Sequence, residues 1–216
     1  METRIIAVRH GETEWNKKRL LQGHRDSLLT GLGVKQAEAA GKGLCNIRID
    51  SFYSSDLGRA AQTAEIISSI IGIGFSTDKR LRERALGMFE GFSRDDVKSR
   101  YPDDAELYES RKNDYRIPGG ESIDDLSART VSYAEEIASS NTKKTVLFVT
   151  HGGVLECFLA KTLRIPMRKD RSYSLYNASI NSFTITDNFK WKLEYWGDIN
   201  HLRALKVDST NFESSN

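Results

Sequence analysis

Two histidines in this chain stand where imidazole chemistry has a use. His10 lies in Arg9-His10-Gly11-Glu12-Thr13, directly after the apolar run Ile5-Ile6-Ala7-Val8. His151 lies in His151-Gly152-Gly153, directly after Thr145-Val146-Leu147-Phe148-Val149-Thr150. Short apolar runs bounded by polar residues read as buried strands. Ligands of open α/β sheets bind beyond the carboxyl ends of strands. Two strands that both end in His-Gly are therefore expected to bring two imidazoles to one sheet edge, with Gly11 letting the backbone turn sharply beside the first. A neutral imidazole nitrogen can attack phosphorus and carry a phosphoryl group, provided the other ring nitrogen donates a hydrogen bond that fixes the tautomer. A nearby backbone carbonyl would suffice.

The rest of such a site must handle negative charge. Arg9 and Arg59 are the candidate clamps, because a guanidinium grips phosphate oxygens in a bidentate fork. Arg59 falls in Ser54-Ser55-Asp56-Leu57-Gly58-Arg59-Ala60-Ala61-Gln62-Thr63-Ala64, after a strand and in the first turn of a helix. Helix N-termini attract anions, and a cation there is mildly unfavourable for the helix itself, which suggests that it serves a ligand. His151 would stabilise the charge that spreads over the transferring phosphoryl oxygens. Glu83, in Leu81-Arg82-Glu83-Arg84-Ala85-Leu86-Gly87, is the candidate acid for the leaving oxygen and then the base for water, with Glu90 and Glu12 as rival carboxylates.

The elements that must position these residues are readable from pattern. Thr30 is a good N-cap for a helix over 31–44, and Ser51-Phe52-Tyr53-Ser54 reads as a short strand. Ser55 or Asp56 is expected to cap a helix whose Ala60, Ala61, Ala64, Ile67 and Ile71 recur at helical spacing. Phe75-Ser76-Thr77 reads as an edge strand, residues 81–91 as a charged loop, and residues 93–115 as a polar helical excursion broken at Pro102. Pro118-Gly119-Gly120-Glu121 turns the chain into a helix over 122–139; a helix over 152–163 follows the second buried strand. Residues 175–177, 179–186 and 190–196 read as strands. Strands alternating with helices argue for an α/β fold, a three-layer α/β/α sandwich with a mainly parallel sheet. No linker or repeat divides it, so residues 1–206 read as one domain, with a short excursion at about 92–119, and 207–216 as a polar tail.

These motifs resemble those of the histidine phosphatase superfamily, also called the phosphoglycerate mutase-like family. The resemblance rests on Arg9-His10-Gly11-Glu12-Thr13, the arginine motif around Arg59, Leu81-x-Glu83-x-x-x-Gly87-x-x-Glu90-Gly91, and His151-Gly152, with Pro118-Gly119-Gly120-Glu121-Ser122 recurring in such proteins too. Any one is weak; four in order, over residues 4–155, are specific. The resemblance implies phosphorylation of His10 during turnover, Glu83 as proton donor, and no metal or organic cofactor. It also implies that Asn16, Gln22, Gly23 and Gly152 contact the substrate. His24 and His201 have no catalytic counterpart and read as loop and packing residues.

Within that family, mutases carry a Tyr shortly after the acid, a longer basic insert and an Asn after the second His-Gly. Here Ala85-Leu86 follow Glu83-Arg84, Gly153 follows His151-Gly152, and the excursion is short. All three departures favour phosphomonoester hydrolysis over phosphoglycerate mutase activity. Arg94, Lys98, Arg100, Arg111, Lys112 and Arg116 of the excursion are candidates to meet a second anionic group. An inactive binding protein on the same fold is the remaining alternative, disfavoured by the presence of every one of the five site residues. A metal-dependent hydrolase lacks an HExxH-like spacing, and a serine hydrolase lacks a GxSxG elbow.

Composition fits this reading. The 216 residues carry 32 Lys and Arg against 30 Asp and Glu, a net charge of +2. That balance suits a small phosphorylated metabolite as partner and argues against nucleic acid. No run approaches the roughly 20 apolar residues of a membrane helix, and no signal-peptide core is present, so a cytoplasmic location without membrane association is expected. Cys45 and Cys157 match no zinc or redox spacing and read as buried thiols. A homodimer is compatible with the sequence.

Overall fold

The computed structural model describes residues 1–167 and 173–205. In chain order its elements are β1 (Glu2–Arg9), α1 (Glu14–Lys17), α2 (Gly31–Leu44), β2 (Ser51–Ser54), α3 (Gly58–Ile71) and β3 (Ser76–Thr77). Then come α4 (Arg94–Arg100), α5 (Pro102–Glu109), α6 (Ile123–Ser140), β4 (Thr145–Thr150), α7 (Gly152–Leu163), β5 (Ile180–Thr186) and β6 (Trp191–Asp198). Short 3-10 turns occupy Lys79–Leu81, Gly87–Phe89 and Asn200–Leu205.

The six strands form one sheet in the order β3-β2-β4-β1-β5-β6. The first four are mutually parallel, whereas β5 runs antiparallel to β1 and β6 antiparallel to β5. The centre is apolar because it is covered on both faces. Ile5, Ile6, Ala7 and Val8 on β1 and Val146 through Val149 on β4 are fully buried. Burying each of the Ile, Val, Leu and Phe side chains among them contributes about 1.5–3 kcal/mol. On one face Ile6, Val8, Leu147 and Val149 pack on α2 and α3 through Ala40, Leu44, Ala60, Ala64 and Ile67. On the other Ile5, Val146 and Phe148 pack on α6 and α7 through Leu126, Tyr133, Ile137, Leu155 and Phe158. The result is a three-layer α/β/α arrangement around a mainly parallel sheet.

Four of the seven described α-helices start on a side-chain cap; α3, α5 and α7 do not. Thr30 caps α2 by accepting from Gly33 N–H at 2.9 Å, and Ser93 and Ser122 form capping boxes at α4 and α6. Helix α3 begins differently from the sequence expectation: its N-cap is Leu57, with no side-chain cap. Asp56 instead pairs with Arg82, and Asp26 of the preceding loop accepts from Arg59 N–H at 3.3 Å. The cap is supplied by a residue remote in sequence, which local pattern cannot reveal.

Other expectations are corrected by packing. Residues 175–177 are not a strand; they cross the carboxyl end of β1, and Ala178 N–H is bonded to the carbonyls of Arg9 and His10. The edge strand shrinks to Ser76–Thr77, and helix in the excursion ends at Glu109, short of residue 115. Four-residue α1 interrupts the loop after β1. Cys157 is buried but Cys45 is exposed at the end of α2. Gly11 has no left-handed φ; it is required because a Cβ would meet the Gly33 carbonyl oxygen at 2.4 Å. The expected tail at 207–216 lies outside the described residues.

Candidate active site

The site grows from the β1–β4 pairing. Arg9 lies opposite Thr150 in the parallel register, and His10 N–H donates to the Thr150 carbonyl at 2.9 Å. That register sets the next residues of both strands side by side. The His10 and His151 rings lie 5.2 Å apart between centroids, tilted by 56°. Both are buried.

Each ring has one nitrogen occupied. His10 Nδ1 lies 2.8 Å from the Gly11 carbonyl oxygen. A carbonyl only accepts, so Nδ1 carries the proton and Nε2 keeps its lone pair. His151 Nε2 lies 2.8 Å from Ser55 Oγ, while its Nδ1 is buried without a hydrogen-bond partner. Burial first, then Arg59 and Arg9, holds the His10 pKa well below the ordinary imidazole value. Burial, Arg59, His10, Arg9 and His24 do the same for His151. Both imidazoles are neutral at pH 7.

The two arginines come from different elements. Arg9 ends β1 and Arg59 opens α3; they are 6% and 1% exposed, a desolvation that lowers both pKa values, Arg9 to about 10. Both remain cations. Arg59 reaches across the loop after α1, donating to the carbonyls of Gly23 at 2.8 Å and Arg25 at 3.1 Å and pairing with Asp26 at 3.0 Å. Its Nε is buried and has no partner. Arg9 donates to the Leu175 carbonyl.

Of the three candidate carboxylates, only Glu83 reaches this edge. Its Oε1 accepts from Arg84 N–H at 2.8 Å and its Oε2 from Gly153 N–H at 3.0 Å, next to His151 at the start of α7. Glu12 accepts from Thr30 Oγ1 at 2.7 Å and fastens the loop to α2. Glu90 is a loop clasp, accepting amides from His24, Arg25 and Leu86.

The residues expected to contact substrate are placed less uniformly. Gly152 sits between the others: a Cβ on it would lie 3.8 Å from both Arg9 Nε and Glu83 Oε2 and 2.8 Å from Leu175 Cδ2. Gly23 acts through its carbonyl on Arg59, and its φ of +54°, with Glu90 Oε1 2.1 Å from any Cβ, demands glycine. Asn16 Oδ1 is committed to Thr13 N–H at 3.1 Å and Thr13 Oγ1 at 3.0 Å; Gln22 is buried, with Oε1 3.3 Å from Ser27 Oγ.

Sequence reasoning missed three participants. Asn177 Nδ2 donates to the His10 carbonyl at 3.0 Å and lies 3.4 Å from Asn16 Oδ1; Ser55 holds His151. His24, read as a loop residue, donates from Nε2 to the Glu83 carbonyl at 2.9 Å. His201 is a packing residue as expected, donating to the Ala178 carbonyl at 3.0 Å. The periodicity of a single sequence carries no signal for Asn177, because the loop bearing it is placed only by tertiary contact.

The excursion's cations are mostly engaged elsewhere. Arg116 pairs with Asp125, Lys98 with Glu109 and Lys112 with Asp114, while Arg94 and Arg100 lie over aromatic rings. Arg111 alone of the six turns toward α7, 3.3 Å from Glu156, a buried carboxyl that burial pushes up to about 7. Among the described residues no cluster of three His, Cys, Asp or Glu could hold a metal ion, and no helix is long and apolar enough to cross a membrane.

Paired histidines at adjacent parallel strand ends, on this sheet order, are the arrangement of a phosphatase- or mutase-type α/β enzyme. The chain belongs to the histidine phosphatase superfamily (branch 1), whose family model matches residues 5–199. It is 38% identical over 211 residues to phosphoglycerate mutase-like protein 4 of Arabidopsis thaliana, covering 96% of this chain and 90% of that one. Bacillus stearothermophilus YhfR superposes with a TM-score of 0.87 at 31% identity, covering 93% of this chain and 99% of that one. A mycobacterial glucosyl-3-phosphoglycerate phosphatase, solved with VO3, superposes with a TM-score of 0.81 at 29% identity, covering 91% and 99%.

Proposed function

We propose that this protein hydrolyses small phosphomonoesters through a phosphohistidine on His10. The observation that carries this reading is the neutral His10 ring, pinned by Gly11 so that Nε2 keeps its lone pair, beside His151 and two buried arginines. Arg9, Arg59 and His151 Nδ1–H hold the phosphoryl oxygens. Nε2 attacks phosphorus, the P–O bond to the leaving group breaks, and Glu83 gives that oxygen a proton. The Glu83 carboxylate then takes a proton from water as the water oxygen bonds phosphorus and the N–P bond breaks. Phosphate leaves, and His10 returns with Nδ1–H intact. None of these steps calls for a metal or organic cofactor.

Hydrolysis rather than mutase chemistry is supported by what surrounds Glu83. Ala85 N–H is bonded to Glu121 and Leu86 is buried against Phe89, Val97 and Ile117, so neither position presents a polar side chain to a substrate carboxylate. The test is release of phosphate from p-nitrophenyl phosphate with EDTA present, wild type beside His10→Ala, followed by a phosphomonoester panel that includes 3-phosphoglycerate. EDTA-resistant release that disappears in the variant is expected. Interconversion of 2- and 3-phosphoglycerate without release would make the protein a mutase and overturn the reading.

A further inference from the structure

The carboxylate assigned above as the proton donor sits on a segment with no helix or strand to aim it, between the turns at Lys79–Leu81 and Gly87–Phe89. Two side chains from outside the segment supply the missing rigidity. Arg129, on α6, has all five of its N–H donors engaged. Nε meets Glu121 Oε1 at 3.1 Å, and Nη1 meets the carbonyls of Arg80 and Arg82, each at 3.0 Å. Nη2 meets the Glu83 carbonyl at 3.3 Å and Glu121 Oε2 at 2.8 Å.

Glu121 closes the circuit from the other side. Its Oε2 accepts from Ala85 N–H at 3.0 Å, and its own amide donates to the Ala85 carbonyl at 2.9 Å. The turn before it lies flat on the segment: a Cβ on Gly120 would stand 2.5 Å from the Ala85 carbonyl, and one on Gly87 2.2 Å from the Pro118 carbonyl. The main chain is thus fastened immediately before Glu83, at Glu83 and two residues after it. The ion pair is about 20% exposed, and its fork geometry is one that Lys cannot reproduce.

We infer that Arg129 and Glu121 are positioning residues for the acid, setting where the Glu83 carboxylate meets the leaving oxygen; this rests on the proton-donor reading of Glu83. They touch no substrate. Their loss should cost protonation of the leaving group and little else, because the His10 and arginine side of the site is built on β1 and α3.

That gives a readout that mere loss of structure would not move. In kcat/KM, which reports only steps through phosphorylation of His10, a good leaving group such as p-nitrophenolate needs little proton donation, whereas phenolate or an alkoxide needs much. Arg129→Lys and, as the milder change, Glu121→Gln are assayed against p-nitrophenyl, phenyl and alkyl phosphates, with Glu83→Gln as reference and thermal unfolding as the check on folding. The expected result is a loss of about 10- to 100-fold on the phenyl and alkyl esters and under about threefold on p-nitrophenyl phosphate, in the same direction as Glu83→Gln. Combining Arg129→Lys with Glu83→Gln should add little further loss. A uniform loss across the series in folded protein, or no loss, while Glu83→Gln remains selective, would overturn the inference alone. A Glu83→Gln enzyme without leaving-group selectivity would instead sink the acid assignment and the inference with it.

Discussion

Gly153 donates its amide to Glu83 Oε2 at 3.0 Å, and a Cβ on it would stand 2.2 Å from Glu83 Oε1. The amide that anchors the carboxylate therefore belongs to a residue whose lack of a side chain makes room for it. Helix α7 begins one residue after His151, so the same backbone turn places a histidine and a carboxylate at one sheet edge.

Gly153→Ala should accordingly displace Glu83 while leaving the fold intact, since the new Cβ meets only the ends of two side chains, Glu83 Oε1 at 2.2 Å and Leu126 Cδ2 at 3.1 Å. We expect kcat/KM on phenyl phosphate to fall about 10- to 100-fold, the cost of misplacing a reacting group by roughly an ångström. The thermal midpoint should hardly move. Unchanged kcat/KM would show that the carboxylate relaxes without loss.

Ser55 is the second position where a small change should speak. Its Oγ accepts from Leu57 N–H at 3.3 Å and lies 2.8 Å from His151 Nε2, to which it gives its own proton in the tautomer that the proposed reaction uses. His151 is then left with Nδ1–H, the donor needed for a phosphoryl oxygen. Ser55→Ala removes this fixing of the tautomer and leaves a ring nitrogen buried without a partner, which costs about 1–3 kcal/mol. Steady-state kinetics should show kcat lowered about tenfold or more, with urea unfolding reporting the stability loss. Ser55→Thr, which keeps the hydroxyl, should recover more of the rate than Ala.

How much of this was legible beforehand follows from which contacts are local. The strand-end positions of His10 and His151 were visible because burial on both sheet faces writes a continuous apolar run. The arginine and carboxylate segments were marked by motif, and the resemblance singled out Glu83 over Glu90 and Glu12. What the sequence could not reveal is the amide that holds its carboxylate, which belongs to Gly153, 70 residues away. Asp26 capping α3 and Asn177 crossing over His10 left no trace in pattern, since neither is set by its own neighbours in sequence. Residues 175–177 looked like a strand because a buried loop and a short strand share the same composition.

The depressed histidines make a prediction about acid. Their native pKa values lie below the unfolded value of about 6.5, so the unfolded chain binds protons there that the native state refuses. The stability they contribute is present above pH 6.5 and is lost as pH falls below it, at about 1.4 kcal/mol per pH unit for each group. Glu156, raised to about 7, works in the opposite sense between 4.5 and 7, so the absolute slope is a poor guide. The discriminating quantity is the difference: between pH 7.5 and 5.5, urea-unfolding stability should fall less steeply in His10→Gln than in wild type. Parallel slopes would mean that His10 is protonated in the native protein.

Two buried arginine charges and two unpartnered buried nitrogens, Arg59 Nε and His151 Nδ1, should make the free protein responsive to anions. An oxyanion that binds only the folded state stabilises it by RT ln(1 + [L]/Kd), about 2.7 kcal/mol at one hundred times Kd. Inorganic phosphate or vanadate should therefore raise the thermal midpoint in a concentration-dependent way, with chloride at equal ionic strength as control. His10→Ala should keep a substantial part of this shift with phosphate, because Arg9, Arg59 and His151 remain. Arg59→Ala should lose most of it, and Arg59→Lys should recover little, since a point charge cannot take the fork's place. Chemistry and binding would then be separated within one site: a variant that binds without turning over, and one that fails to bind. An undiminished phosphate shift in Arg59→Ala would place the anion elsewhere and remove Arg59 from the clamp.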